Sequence, residues 1–172
     1  MQHRTVNFSH TRITGGFWKQ KQTLVRRVTT KAVYDRFADT GRIDAFRFDW
    51  KEGMPNKPHF FWDSDVAKWI EGAAYQLAVK PDERLERKID ALVDLIAQNQ
   101  GEDGYFNIFF TVVQPENRFT NRDWHELYCA GHLMEAAVAY YEATGKDKFL
   151  SSMCKYADYI EKRFVIDADT PF

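Results

Sequence analysis

The sequence predicts an all-α domain built from paired antiparallel helices, and three observations predict it. Apolar residues recur at three- and four-residue spacing through most of the chain after Phe17. Two long stretches of this kind are each followed, across a tight polar turn, by a second one; the turns are Lys80-Pro81-Asp82 and Thr144-Gly145-Lys146. The two pairs also repeat one another. A shift of 64 residues without gaps places Glu71 on Glu135, Ala73 on Ala137, Leu85 on Phe149, Ile89 on Met153, Asp94 on Asp158 and Ile96 on Ile160. Repeating αα-hairpins are the unit of solenoids and α/α toroids.

Taken in order, residues 1–16 alternate loosely (Thr5, Val6, Phe8, Ile13) and close on Thr14-Gly15-Gly16, which predicts a loop or short edge strand. From Phe17 the pattern is helical. Trp18, Leu24, Val25, Val28, Ala32, Val33 and Phe37 form the apolar stripe, and Gly41 ends it. Residues 42–61 form an irregular, aromatic-rich loop, because Gly53, Pro55 and Pro58 interrupt any long element. A loop of this length in a compact domain carries a functional expectation. Helices are then expected over approximately 64–79 and 83–99, and over 124–143 and 147–163, with a long connection at 100–122. With the tight turns at one end of each hairpin, the starts Trp62-Asp63-Ser64-Asp65 and Asp123-Trp124-His125-Glu126 gather at the other end with residues 100–111. Function is expected there, on loops held by a helical scaffold.

The chain has 172 residues, enough for a single domain with a real core and too few for two sizeable ones. Its 24 Lys+Arg against 25 Asp+Glu leave a net charge of −1, which argues against bulk attraction to nucleic acid or an anionic membrane and for a small-molecule or protein partner. No apolar run approaches the roughly 20 residues of a membrane span. Met1-Gln2-His3-Arg4-Thr5-Val6 has no signal-peptide core, and two cysteines are too few for a disulfide framework, so a cytoplasmic, thiol-reduced protein is expected. Fourteen Phe, eight Tyr and five Trp are enough to build a core and line a pocket as well.

The densest chemistry lies in Asp123–Gly145. His125, in the first turn of its expected helix, can hydrogen-bond a hydroxyl or move a proton, or can serve only to cap and pack. Glu126 stands three residues after Asp123, so reciprocal capping is its expected role. His125, Cys129 and His132 share a helical face, but the two histidines lie roughly 10 Å apart along the axis, whereas zinc ligands sit near 2 Å from the ion. That spacing excludes a three-ligand metal site on one helix, and Cys129, Cys154 and His132 are expected to be packing residues. Trp62, Asp63 and Asp65 offer a stacking ring and carboxylates suited to sugar hydroxyls; the plain alternative is that Asp63 or Ser64 caps the helix. Gln100-Gly101-Glu102-Asp103-Gly104-Tyr105-Phe106 has the composition of a turn. Asn107, Thr111 and Arg118 can add polar contacts. No G-x-S-x-G, Walker A, dinucleotide or HExxH motif occurs.

Three ordered motifs together resemble glycoside hydrolase family 127, which contains β-L-arabinofuranosidases. They are Phe61-Trp62-Asp63-Ser64-Asp65-Val66-Ala67-Lys68-Trp69-Ile70-Glu71; Asp103-Gly104-Tyr105-Phe106-Asn107 with Phe110-Thr111; and His125-Glu126-Leu127-Tyr128-Cys129-Ala130-Gly131-His132 with Ala136-Ala137-Val138-Ala139-Tyr140-Tyr141. The resemblance runs from about Gly16 to Phe164. It implies the N-terminal part of an (α/α)6 barrel, here an incomplete toroid over residues 1–172, and a sugar of the L-arabinofuranoside type as partner. It implies retaining cleavage by a zinc-bound cysteine thiolate with a glutamate acid/base, and expects nucleophile, acid/base and zinc ligands outside this sequence. No catalytic residue, metal ligand or cofactor is therefore assigned to this chain. The resemblance makes His125 a sugar contact, with Trp62, Asp63 and Asp65 as neighbours in the same cleft. The competing expectation is a non-catalytic helical-repeat module that associates through unpaired helix faces, as a homo-oligomer or on another protein.

Overall fold

A computed structural model describes Val6 and residues 8–166. Thr5 of the expected N-terminal alternation and Asp167 at the other end lie outside the described residues. Among the described residues the regular structure is entirely helical. Helices α1 (Gly16–Leu24) and α2 (Thr30–Asp39) form one run, joined by a π-helical turn at Val25–Thr29. Gly41 follows at φ +80°, a left-handed position that a side chain resists, and a Cβ there would meet Asn56.

The two hairpins are α3 (Trp62–Val79) with α4 (Glu83–Asn99), and α6 (Glu126–Thr144) with α7 (Lys148–Glu161). In sequence α6 begins 64 residues after α3, so the repeat predicted by the shift is present in the elements themselves. In space the hairpins lie side by side: α3 packs along α6, and α4 packs on α7. Helices α3 and α6 are apolar around most of their circumference, as inner helices must be, while α4 and α7 carry one apolar stripe. Small residues make the close α3–α6 approach feasible, with Ala67, Ala73, Ala74, Ala130, Ala136 and Ala137 all buried. This is the geometry of a toroid segment.

The hairpin turns are fixed by polar contacts. Asp82 caps α4, its side chain accepting from the N–H groups of Arg84 and Leu85. Gly145 ends α6 at φ +75°. Beside it Lys146 reaches Glu86 and Asp90 of α4, each at 2.7 Å, and Tyr140 donates to Asp90 at 2.6 Å.

Two expected helix starts need correction. Helix α3 starts at Trp62 rather than 64, and neither Asp63 nor Ser64 caps it; Phe61 is the N-cap and the Ser64 hydroxyl donates back to its carbonyl. Helix α6 starts at Glu126 rather than 124, after a 3-10 turn at Arg122–Trp124. The connection 100–122 is well ordered: it contains α5 (Phe109–Val112) and a 3-10 turn at Pro115–Asn117, and Tyr105, Phe106, Ile108 and Phe110 are buried in the core. The loop 42–61 likewise contains a 3-10 turn, Asp44–Arg47, that buries Phe46 beneath Phe106.

Candidate functional site

The helix starts and the long connection do meet at one end. His125 closes the turn before α6 in a left-handed conformation, φ +63°, and its carbonyl accepts from the Cys129 N–H at 2.9 Å. It is therefore the N-cap residue and not, as the spacing suggested, part of the first helical turn. A non-glycine residue there costs on the order of 1 kcal/mol, so the position is held by its surroundings. Those surroundings are aromatic. The imidazole lies 4.6 Å from the Phe61 ring and 5.6 Å from Tyr128, and stacks at 6.3 Å on Phe60, which in turn stacks at 4.1 Å on His59. The residue is half-buried, and its Nδ1 is buried with no hydrogen-bond partner.

Behind this ring lies a buried polar layer. Asp63, with no exposed surface, accepts through Oδ1 from the Ile108 N–H at 3.0 Å, while Oδ2 has no partner. Burial pushes its carboxyl up to about 7; the N–H groups of Ile108 and Asp63 oppose the shift and the charge of Glu126 adds to it. Glu126 is also buried. It accepts from the Tyr105 hydroxyl at 2.6 Å and from the Phe119 N–H, so the capping role expected of it is not the one it has. Burial raises its pKa, with the Tyr105 and Phe119 bonds and then Arg118 and Arg163 pulling the other way. Asn107 Oδ1 accepts from Phe110 N–H at the start of α5. These buried groups hold 105–119 against α3 and α6. They position the loop.

The remaining sequence candidates divide. Trp62 is 8% exposed, with the Arg42 guanidinium 5.2 Å over its ring, and belongs to the core. Asp65 is a third exposed and pairs with the same Arg42 at 3.0 Å. Arg118 lies 4.0 Å over Tyr105 and donates to the Phe110 carbonyl, with Thr111 at 3.5 Å, so both act within the loop. The Gly101–Gly104 turn is structural. Gly104, at φ +92°, packs so closely on α7 that a Cβ would stand 2.3 Å from the Lys155 carbonyl. Gln100 ties the same turn to Ser152 at 2.7 Å. Sequence reasoning missed Phe60 and Phe61 as the rings against the histidine, and Tyr156, whose buried hydroxyl has no partner. The aromatic run before Asp63 was the available signal for the first two.

Cys129 is buried, donates its S–H to the Phe60 carbonyl at 3.2 Å, and burial pushes its thiol up to about 12. Such a thiol is neither a nucleophile nor a ready zinc ligand. The zinc–thiolate centre implied by the resemblance therefore does not fit Cys129. Cys154, expected to be a buried packing residue, is instead exposed on the outer face of α7. Among the described residues, Glu71, His132 and Glu135 bring potential donor atoms within 4.8 Å of one another, but this set has no sulfur and Glu135 is exposed.

The sequence pattern of the β-L-arabinofuranosidase GH127 catalytic domain matches residues 10–169. The non-reducing end β-L-arabinofuranosidase of Bifidobacterium longum subsp. longum is 44% identical over 109 residues, 60% of this chain and 17% of that protein. The crystal structure of a GH127 β-L-arabinofuranosidase from Geobacillus stearothermophilus T6 superposes with a TM-score of 0.82 at 42% identity, covering 88% of this chain and 25% of that one. A second GH127 β-arabinofuranosidase structure gives a TM-score of 0.76 at 34% identity, covering 91% and 26%. The chain thus spans about a quarter or less of the length of the relatives it matches.

Proposed function

The chain belongs to the GH127 β-L-arabinofuranosidase catalytic-domain family, and from that premise we propose that it forms one wall of a cleft for an L-arabinofuranoside, without itself holding the groups that break the glycosidic bond. The observation that carries this reading is His125: a half-buried imidazole held in a strained backbone position where the helix starts meet, and framed by Phe61 and Tyr128. Aromatic faces flanking a hydrogen-bonding ring suit a sugar, whose C–H faces stack while its hydroxyls need directed partners. Asp63 acts from behind, by fixing Ile108, and Trp62 and Asp65 through Arg42 complete the wall around the start of α3.

Two features support the absence of cleavage chemistry within this span. Glycoside hydrolysis needs two groups facing across the scissile bond. Asp63 and Glu126, the buried acids at this end, are engaged by backbone N–H groups, and Cys129 is a protonated core thiol. Incubating the 172-residue chain with a chromogenic β-L-arabinofuranoside is expected to release no dye above background. Release that copurifies with the chain and disappears in His125→Ala would refute this.

A second reading has its own observation. Helix α1 buries none of its residues, and Phe17 and Trp18 are 59% and 69% exposed. On α6, Val138 and Tyr141 are also exposed. Such faces favour association, so the isolated chain is expected to self-associate; a monodisperse monomer by light scattering at high concentration would count against it.

A further inference from the structure

A pocket of about 300 Å³ lies between the α1–α2 run and the α3–α4 hairpin. On a chain whose net charge is −1, its wall concentrates Arg26, Arg27, Lys31, Lys80, Arg84 and Lys88. Lys31 is paired with Asp35, and Asp82, the acid in the wall, is occupied in capping α4. Arg26, Arg27, Lys80, Arg84 and Lys88 make no ion pair among the described residues. The floor is aromatic, with Tyr34 under the Lys88 ammonium at 3.4 Å and Trp69 beside it.

The backbone here is specially arranged. The π-helical turn Val25–Thr29 interrupts an otherwise α-helical run, and such turns are rare and concentrate at functional sites. Three polar contacts pin it: the Thr30 hydroxyl donates to the Val25 carbonyl at 3.1 Å, Trp69 Nε1 donates to the Thr30 carbonyl at 2.9 Å, and Gln76 Nε2 reaches the Thr30 hydroxyl at 2.6 Å. The turn so fixed carries the adjacent Arg26 and Arg27, both of which line the pocket.

We propose that this pocket binds a phosphate-bearing small molecule of sugar-phosphate size. Arginine forks match phosphate oxygens bidentately, lysines add point charge, and Leu85 with the uncovered edge of Tyr34 takes the organic part. The volume falls at the small end of ligand pockets, and the concave basic wall focuses its field on an entering anion. Burial lowers the pKa of Lys88, Asp35 opposing and Lys31 adding, and a bound anion would relieve that cost. The pocket is separate from the sugar wall. It reaches Lys80, just past the far end of an α3 of 18 residues, which is about 27 Å long at 1.5 Å per residue. The assignment does not rest on the family reading.

Titration calorimetry of the 172-residue chain at low ionic strength tests it, with ribose 5-phosphate, inorganic phosphate and ribose as probes. The expected result is saturable binding of ribose 5-phosphate, about tenfold tighter than inorganic phosphate, and no binding of ribose. The Arg26→Gln/Arg27→Gln double variant, changed where both side chains reach solvent, is expected to fold normally and bind at least about tenfold more weakly. Lys57→Gln, whose side chain meets Glu52 and Trp50 outside the pocket lining, and His125→Ala are expected to leave this binding unchanged. The proposal is overturned if ribose 5-phosphate does not saturate, if it binds no better than inorganic phosphate or ribose, or if the double variant binds as the parent does.

Discussion

His125 concentrates the functional reading in one residue, and its backbone separates function from stability. Glycine adopts φ +63° without strain, so His125→Gly exchanges the strain relieved for the ring packing lost against Phe61. The expected outcome is a change in urea-denaturation free energy of less than about 1 kcal/mol together with loss of sugar binding. Asp63 yields a pH prediction of definite sign. Its carboxyl titrates at 3.8 when unperturbed and is pushed up to about 7 by burial, so between those values the folded chain holds a proton that the unfolded chain has released. Its contribution to stability is therefore full below about pH 4 and lost as pH rises through 7, by on the order of 4 kcal/mol if the whole shift is expressed. Urea midpoints measured at pH 5 and pH 8 are expected to show the chain weaker at pH 8, with the difference reduced in Asp63→Asn. A stability that rises with pH in this range would contradict the burial of Asp63. The inward bonds of Glu126 and Asp63 were not legible in sequence. D-x-x-E has the form of a capping box and W-D-S-D the form of an N-cap, but capping depends on backbone angles, and here Glu126 and Asp63 turn inward to satisfy N–H groups of the chain 105–119.

At the scale of elements the sequence was far more informative. Periodic apolar spacing and the two short turns located α3, α4, α6 and α7 to within about two residues, because each buries a stripe whose spacing must follow the helix. The 64-residue repeat anticipated which helices would be neighbours. Two things carried no periodic signal: the π turn at Val25–Thr29, set by contacts from the distant Trp69 and Gln76, and the ordered course of 100–122, set by buried side-chain acceptors. That connection gives a further test. Gly104→Ala places a methyl 2.3 Å from the Lys155 carbonyl at a left-handed position, and it is expected to cost about 2–3 kcal/mol, read as a lowered thermal midpoint. A variant as stable as the parent would show that the turn does not pack on α7 as described. By contrast Asp82→Ala, which removes the α4 cap at an exposed turn, is expected to cost about 1 kcal/mol.

Over the whole molecule, two hairpins side by side present their helix starts and long connection at one end and their tight turns at the other. The wall proposed to face sugar occupies the first end, and the basic pocket extends toward the second. No helix of the described residues is long and apolar enough to cross a membrane. The toroid segment, the GH127 family match and the superposition on GH127 structures agree on architecture, while the relatives extend well beyond the span shared with this chain. The central claim is then that this segment binds sugar and leaves cleavage to other parts of such proteins. The most direct test is a saturation-transfer titration of the 172-residue chain with methyl β-L-arabinofuranoside, followed by analysis of the same sample for free arabinose. The account predicts weak, saturable binding that is lost in His125→Gly, with the glycoside recovered intact. Binding that persists without the His125 side chain, or arabinose released in proportion to the chain, would contradict it.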